Sequence, residues 1–163
     1  NPCPCGFYNH PERECSCPPG AVQKYLNKIS GPLLDRIDLH VEVTPVSYVE
    51  LTSVNTEEPS SVIRERVMRA GIRQSERFRD HPGIYANAQM GSALLKKICV
   101  LNTTGSALLR IAMEKLNLSA RAFDRILKVS RTIADLAESG EIKTEHLAEA
   151  IQYRSLDRES WAG

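Results

Sequence analysis

Apolar residues recur every three or four positions through the second half of the chain. This spacing predicts amphipathic helices over residues 92–100, 105–116 and 119–138, and a last helix capped by Thr144. Short loops between such helices favour a compact antiparallel bundle. We expect the core of that bundle to contain Leu94, Leu95, Ile98, Cys99, Leu108, Leu109, Ala112, Leu116, Phe123, Ile126, Leu127, Ile133, Ala134, Ala137, Leu147, Ala148 and Ile151.

The first half of the chain combines helical and alternating patterns. Residues 21–29 and 61–78 fit helices, the second of them with Ser61 as its N-cap. Residues 39–43 alternate between apolar and polar side chains, which predicts a half-buried strand. Residues 46–51 fit a second short strand or a turn. The predicted fold class is therefore mainly α, with a Cys-rich loop, one or two short strands and a helical bundle.

A short helical turn is predicted after Gly31, because Pro32 suits the first position of a helix. One side of this turn is apolar at helical spacing and is expected to be buried: Leu33, Leu34 and Ile37. Arg36 then lies on another side between two acids, Asp35 and Asp38. Its planar guanidinium suits a phosphate or a carboxylate. The alternative is a structural salt bridge from Arg36 to one of the two acids.

Composition places the chain among ordinary globular proteins. Its 163 residues are 42% hydrophobic and 25% charged, with a formal net charge of +1. This balance excludes a basic nucleic-acid-binding surface over the whole protein but leaves room for a local basic face. No apolar run approaches membrane-spanning length and no signal peptide opens the chain, so we expect a cytoplasmic protein without a membrane partner. From Arg154 onwards the sequence predicts a polar, frayed end.

Two Cys-x-Cys pairs lie in the first 20 residues, a loop-like segment without helical period. Cys3 and Cys5 form one pair, and Cys15 and Cys17 form the other. Cysteines without a secretion signal favour a reducing compartment and metal binding over disulfides. We therefore predict a tetrahedral zinc site, with His10 as a spare ligand, that supplies folding energy to a segment with little core. Reduced loop thiols and adventitious disulfides are the alternatives.

The most basic part of the chain is the predicted helix over residues 61–78. Four arginines follow one another there at steps of three or four, so they line one face: Arg66, Arg69, Arg73 and Arg77. Another face is apolar and is expected to pack inward: Ile63, Val67 and Ala70. The basic stripe can contact nucleic-acid phosphates or an acidic neighbouring subunit. The alternative is a solvated face without a partner.

Three motifs along the chain resemble one family. The stretch SGPLLDRIDL at residues 30–39 resembles the arginine-finger segment of AAA+ ATPases of the magnesium-chelatase/MCM branch. NPCPCG at residues 1–6 and LSAR at residues 118–121 are similar to flanking motifs of the ComM/YifB family of Mg-chelatase-like proteins. The resemblance covers nearly the whole chain. It implies a bacterial DNA helicase linked to branch migration in natural transformation, or competence.

The resemblance also implies roles for three residues. Arg36 matches the arginine finger, which reaches in trans to the γ-phosphate of the neighbouring subunit's ATP. Arg121 matches sensor 2, which contacts the terminal phosphate, and Asn1 matches sensor 1. Arg121 also follows the predicted N-cap Ser119, where a cation opposes the helix dipole unless an anion is near. An ordinary surface arginine is the alternative at that position.

The resemblance implies that the chain is the C-terminal part of an AAA+ protein. No Gly-x-x-x-x-Gly-Lys-Ser/Thr loop occurs in it, so we expect this chain alone neither to bind nor to hydrolyse ATP. The implied domains are the end of the AAA+ core at residues 1–52, a linker and basic helix at 53–90, and a helical lid at 91–163. The implied cofactors of the complete protein are ATP and Mg²⁺. Its implied partners are other copies of itself, in a hexameric ring, and DNA.

Two other classes of function stay open on the sequence alone. One is a metal-insertion motor of the magnesium-chelatase type, which works on a porphyrin partner. The other is a non-catalytic interaction module that folds alone, which the missing phosphate-binding loop favours. The Cys-rich segment favours the ComM/YifB family over the chelatase subunit. A DNA-stimulated ATPase assay on the complete protein would separate these classes.

Overall fold

The computed structural model describes residues 1, 3–41, 43, 45–52 and 57–154. Over these residues the regular structure is helical, which confirms the mainly α prediction. The elements are α1 Ala21–Leu26, α2 Gly31–Leu34, α3 Tyr48–Thr52, α4 Ser60–Arg77, a 3₁₀ turn Asn87–Gln89, α5 Ser92–Ile98, α6 Thr103–Lys115, α7 Ala120–Leu136 and α8 Thr144–Gln152. Trp161 and the rest of the tail lie outside the described residues.

Helix α7 is the centre of the helical bundle. It contacts α4, α5, α8 and the 3₁₀ turn, while α6 packs on α8. The core around it is apolar and includes Leu95, Leu109, Ile126, Leu127, Ala134 and Leu147. Cys99 is buried in the same core, as predicted. Because apolar burial is the main driving force for folding, the packing of these elements on α7 stabilises the bundle.

The helix starts in the structure show which of the predicted N-cap residues are correct. Ser119 caps α7, since its Oγ accepts a hydrogen bond of 3.2 Å from the backbone N–H of Ala122. Asn102 caps α6 in the same way, with 2.7 Å from Gly105 N to its Oδ1. The predicted caps Ser61 and Thr144 are instead residues within the first turn of α4 and α8. At those two helices the side-chain cap is therefore absent from the predicted position.

The inward face of α7 agrees with the prediction at Ile126, Leu127 and Ala134, which are buried, but not at Phe123. Ala122, Ile126, Ser130 and Ala134 are all fully buried and repeat every four residues. Phe123, predicted as core, is 37% exposed, because each step along a helix turns the side chain by about 100°. Three further predictions of burial are also wrong: Ala137 at the end of α7, Ala148 on α8 and Val67 on α4 are exposed. Ile63 is exposed too, whereas Ala70 is buried as predicted.

The predicted strands are wrong over the described residues. Leu39 and Val41 lie in irregular chain and are 48% and 66% exposed, and Tyr48–Thr52 forms the short helix α3. A strand is stable only when it pairs with another strand, and no described segment pairs here. The backbone N–H of His40 instead donates to the carbonyl of Tyr153, with 3.0 Å between the two atoms. Glu42, at the middle of the predicted strand, lies outside the described residues.

A buried ionic network joins α4, the 3₁₀ turn and α7. The carboxylate of Asp135 is fully buried and accepts from Arg77 Nη1 at 2.7 Å and from Asn87 Nδ2 at 2.8 Å. Arg77 Nη2 contacts the second carboxylate oxygen, and Arg131 Nη2 lies 3.2 Å from it. Each oxygen of this buried charge therefore has donors, which is the condition for tolerating it in a core.

Arg131 extends this network to the loop after α7. It is 3% exposed and donates to the carbonyls of Gly140 at 2.8 Å and Ser139 at 2.7 Å. Desolvation by burial lowers its pKa, while the neighbouring Asp135 opposes that shift. One arginine thus connects the buried carboxylate to the carbonyl groups that follow the end of α7.

We expect Asp135→Asn to lower the free energy of unfolding of this chain by about 3–5 kcal/mol, because it leaves the buried Arg131 and the half-buried Arg77 without their counter-ion. The matched control is Glu138→Gln, which removes an exposed ion pair to Arg69 of 2.8 Å and should cost about 1 kcal/mol or less. Urea unfolding followed by circular dichroism measures both variants. Equal losses in the two variants would contradict the importance of the buried network.

Candidate functional site

Arg36 follows the four-residue helix α2 and points into solvent. Its side chain is exposed, and its Nη1 donates to the carbonyl of Pro32, one turn earlier, at 2.9 Å. The predicted shared burial beneath it is wrong for two residues: Leu33 and Ile37 are 48% and 41% exposed, and Leu34 is half-buried. A helix of one turn has too little apolar surface to anchor itself, so other contacts must hold this segment.

The two acids beside Arg36 contact other arginines. Asp35 lies 3.9 Å from Arg154 Nη2, and Asp38 forms an ion pair with Arg125 Nη1. Among the described residues no ion pair joins Arg36 to either acid. The structural salt bridge considered as an alternative role for Arg36 is therefore not formed in this arrangement.

Arg154 holds the segment around Arg36, residues 35–38, against the end of α8. It follows the end of α8, is 1% exposed, and its Nη1 donates to the carbonyl of Ile37, which lies 117 residues away in sequence. The prediction of a frayed, polar end is therefore wrong at Arg154. Position 154 comes seven residues after the buried Leu147, so the inward stripe of α8 could have indicated its burial.

Arg125 connects α7 to the Arg36 segment, and Arg121 lies one turn earlier on the same helix. Arg121 is exposed in the first turn of α7, and Arg125, one turn later on the same face, contacts Asp38. The first two turns of α7 therefore lie on the same side of the molecule as the Arg36 segment. Sequence reasoning missed Arg125, although its spacing of four from Arg121 was a signal. Asn1 is exposed at the start of the described chain.

Four cysteine sulfurs converge in the N-terminal loop. The Sγ atoms of Cys3 and Cys5 are 3.3 Å apart, and Cys15 Sγ lies 3.8 Å and 3.6 Å from them. With Cys17, all four sulfurs lie within 4.8 Å of one another. A tetrahedral zinc ion with bonds of about 2.3 Å would separate its sulfurs by about 3.8 Å. The predicted cysteine set therefore comes together in a cluster that can hold a metal ion.

The local backbone favours thiolates at this cluster. Gly6, at φ 84°, allows the turn in which its N–H donates to the carbonyl of Cys3 at 3.1 Å. A hydrogen bond from the backbone N–H of Phe7 lowers the pKa of Cys5 to about 5. The backbone amide of Cys5 also lowers the pKa of Cys17, but desolvation and the neighbouring thiols outweigh it and raise that pKa to about 12. To hold all four cysteines as thiolates at these distances, a cation would be needed to neutralise them.

His10 does not join the cysteine cluster. Its Nδ1 accepts a hydrogen bond of 3.1 Å from the backbone N–H of Glu12, and its ring contacts Phe7 edge-on at 5.5 Å between centroids. Among the described residues, the cluster with metal-binding geometry consists of the four cysteines alone. The role of spare ligand therefore stays a prediction without support from the geometry.

The basic stripe on α4 is largely paired within the chain. Arg66 forms a bidentate ion pair with Glu58, at 2.9 Å and 3.0 Å. Glu138 pairs with both Arg69 and Arg73. Arg77, the last of the four, points inward to Asp135. The first three keep roughly half of their side chains exposed, so they remain on the surface as exposed ion pairs.

The chain matches the profiles of two magnesium-chelatase families. Residues 57–154 match "Magnesium chelatase, subunit ChlI C-terminal", and residues 1–51 match "Magnesium chelatase, subunit ChlI". The helical bundle and the cysteine cluster are thus parts of a Mg-chelatase-like protein. Over the described residues, no helix is both long enough and apolar enough to cross a membrane.

Similar curated proteins show to which branch of the Mg-chelatase-like proteins the chain belongs. The chain is 40% identical over 159 residues to "Competence protein ComM" of Haemophilus influenzae and 38% identical over 159 residues to YifB of Escherichia coli. It is 34% identical over 154 residues to a protein of Mycobacterium tuberculosis H37Rv. These alignments cover 94–97% of the chain and 30% of each relative, so the chain spans about a third of their length. The chain belongs to the Mg-chelatase-like ComM/YifB family.

We expect Arg36→Ala to change the free energy of unfolding of this chain by less than about 0.5 kcal/mol, because the side chain is exposed. The comparison is Arg154→Ala, which removes a buried cation from the carbonyl of Ile37 and should cost about 1.5–3 kcal/mol. Urea denaturation distinguishes the two. A loss at Arg36 as large as that at Arg154 would indicate a structural role for Arg36.

Proposed function

We propose that this chain is the C-terminal part of a ring-forming AAA+ ATPase that couples ATP hydrolysis to DNA remodelling. Membership of the ComM/YifB family supports this class, and one relative is named a competence protein, which suits work on DNA. In this proposal the ring is a hexamer in the cytoplasm. Residues 1–52 complete the AAA+ core, residues 53–90 form a linker and basic helix, and residues 91–163 form the helical lid.

Arg36 is the arginine finger of this proposal. The observation that carries the assignment is its exposure beside two acids that contact Arg125 and Arg154 instead. Its guanidinium is therefore free of a competing carboxylate and can meet an anion from outside the chain. At a subunit boundary that anion is the γ-phosphate of the neighbour's Mg²⁺-bound ATP, whose transition-state charge a planar guanidinium stabilises.

Arg121 acts as sensor 2 in the same proposal. It is exposed at the start of α7, where the backbone N–H groups that the Ser119 cap does not bind favour an anion. A terminal phosphate there would offset the repulsion between this cation and the helix dipole. Asn1 is the proposed sensor 1, and this assignment rests only on the resemblance of residues 1–6 to the family motif.

The exposed arginines of α4 are the proposed contact surface for DNA or a neighbouring subunit. Arg66, Arg69 and Arg73 form exposed ion pairs, which contribute little to stability and can be exchanged for contacts to phosphates or to another acidic surface. Arg77 is part of the predicted stripe, but its contact with Asp135 favours a structural role.

Cys3, Cys5, Cys15 and Cys17 are the proposed ligands of one structural zinc ion. The sulfur separations and the thiolate-favouring amides support a tetrahedral Cys₄ site. Few apolar side chains are buried in this part of the chain. Among its described residues up to position 30, the buried hydrophobic residues are Cys3 and Leu26. Bound metal would supply the folding energy that burial lacks there.

A metal-insertion motor of the magnesium-chelatase type is the second candidate function. The observation in its favour is that both matched profiles bear the name of the chelatase subunit ChlI. The near-full-length match of the chain to ComM and YifB favours the DNA-directed branch instead. Stimulation of ATP turnover in the complete protein by DNA, and not by a porphyrin-bearing partner, separates the two.

In the complete protein, we expect both Arg36→Ala and Arg36→Lys to lower ATP turnover by about three powers of ten, because lysine lacks the planar fork. A steady-state ATPase assay measures the loss. Mixing the Arg36→Ala protein with a variant whose phosphate-binding lysine is replaced should restore part of the activity, since each supplies half of a shared site. Normal turnover by the Arg36→Ala ring would exclude the arginine finger.

Protein purified without added zinc should contain about one equivalent of zinc per chain. Cys15→Ser combined with Cys17→Ser should abolish it, because two ligands of the four are lost. Cys99→Ala, a change at a buried core cysteine, is the matched control and should retain the metal. Elemental analysis by mass spectrometry measures the zinc content of the parent protein and of both variants. Unchanged zinc in the double variant would place the metal elsewhere.

A further inference from the structure

The Arg36 segment is bound to the helical bundle on both sides of Arg36. Before it, Asp35 lies 3.9 Å from Arg154; after it, Ile37 accepts from Arg154 and Asp38 pairs with Arg125. A fourth contact lies just after the segment, where the backbone N–H of His40 donates to the carbonyl of Tyr153 at 3.0 Å. We call these four contacts the clamp.

The clamp replaces the apolar packing that the segment lacks. Leu33 and Ile37 are largely exposed, and α2 is one turn long, so burial holds the segment only weakly. Arg154, by contrast, is 1% exposed, and ionic contacts from a buried cation are stronger than those on a surface. Arg125 keeps 29% of its side chain exposed, so its contact with Asp38 is the more readily exchanged of the two.

We propose that Arg125 and Arg154 are positioning residues that fix the Arg36 segment to α7 and to the end of α8. This inference rests on the proposed role of Arg36 as an arginine finger. Because α7 also bears Arg121 one turn before Arg125, one helix then connects two nucleotide contacts. A shift of α7 on nucleotide binding at Arg121 moves Arg36 relative to the neighbouring subunit, which couples successive sites of the ring.

The geometry separates positioning from catalysis. Arg125 and Arg154 contact the acids and the backbone on either side of Arg36, so in this proposal they act through Arg36. Misplacing a catalytic group by about 1 Å can cost about a hundredfold in rate without weakening substrate binding. Loss of the clamp should therefore lower kcat for ATP hydrolysis and leave KM for ATP nearly unchanged.

A charge exchange in the complete protein tests the proposal. Asp38→Arg and Arg125→Asp, each made alone, should lower kcat about ten- to a hundredfold, with KM for ATP within about twofold of the parent value. The two changes together restore an ion pair of opposite polarity and should recover kcat to within about threefold. Arg110→Asp is the matched control, since Arg110 is an exposed arginine on α6 without a described ion pair, and it should leave kcat unchanged.

A second measurement keeps the test independent of turnover. Hydrogen exchange in the complete protein should speed up at the amides of residues 33–40 in Arg125→Asp and Arg154→Lys, and return towards the parent rate in the charge-exchanged double variant. The Arg110→Asp control should not change it. Unchanged exchange in both clamp variants would overturn the clamp itself.

The outcomes distinguish this inference from the proposed function. If Arg36→Ala lowers kcat but Asp38→Arg and Arg125→Asp do not, or if their combination fails to recover it, the positioning role is wrong and the arginine finger stands. If Arg36→Ala leaves kcat at the parent level, the arginine finger is wrong, and the positioning role that rests on it is overturned as well. Recovery by the double variant together with a loss in Arg36→Ala supports both.

Discussion

The buried carboxylate of Asp135 is the constraint on which the helical bundle depends. Removing a charge from water is costly, so this group is tolerated only while Arg77, Arg131 and Asn87 all reach it. These partners come from α4, from α7 itself and from the 3₁₀ turn, so satisfying one charge fixes three elements. Because α7 also presents Arg121 and Arg125 at its other end, the same network sets the orientation of the helix that serves the candidate site.

The parts of the structure that depend on local pattern could be predicted from the sequence. The helical period located α7, the Ser119 cap marked its start, and the spacing of the four N-terminal cysteines indicated their cluster. Contacts between distant parts of the chain could not be derived in this way. The alternation at residues 39–43 is typical of a strand, but a strand needs a partner, and here His40 bonds to Tyr153 instead. Arg154 looked like a polar end because the carbonyl it meets is 117 residues away.

The environment of Arg36 is set by charge rather than by apolar packing. Sequence reasoning offered a choice between a salt bridge to its neighbouring acids and an outward-facing role. Arg125 and Arg154 occupy those acids, which leaves Arg36 exposed with a single described hydrogen bond to Pro32. Because both neighbouring carboxylates already contact other arginines, the exposed guanidinium of Arg36 can bind an anion from another molecule. In the proposed function, that anion belongs to the nucleotide of a neighbouring subunit.

In the proposed function, Arg36 faces outward and contacts the ATP of a neighbouring subunit. The most direct measurement is a structure of the complete ring with a non-hydrolysable ATP analogue, determined by electron cryomicroscopy. We expect a guanidinium nitrogen of Arg36 within about 3 Å of a γ-phosphate oxygen on the adjacent subunit, while Asp35 and Asp38 keep their contacts with Arg154 and Arg125. An Arg36 side chain turned back onto its own Asp35 or Asp38 at nucleotide-filled sites would contradict it.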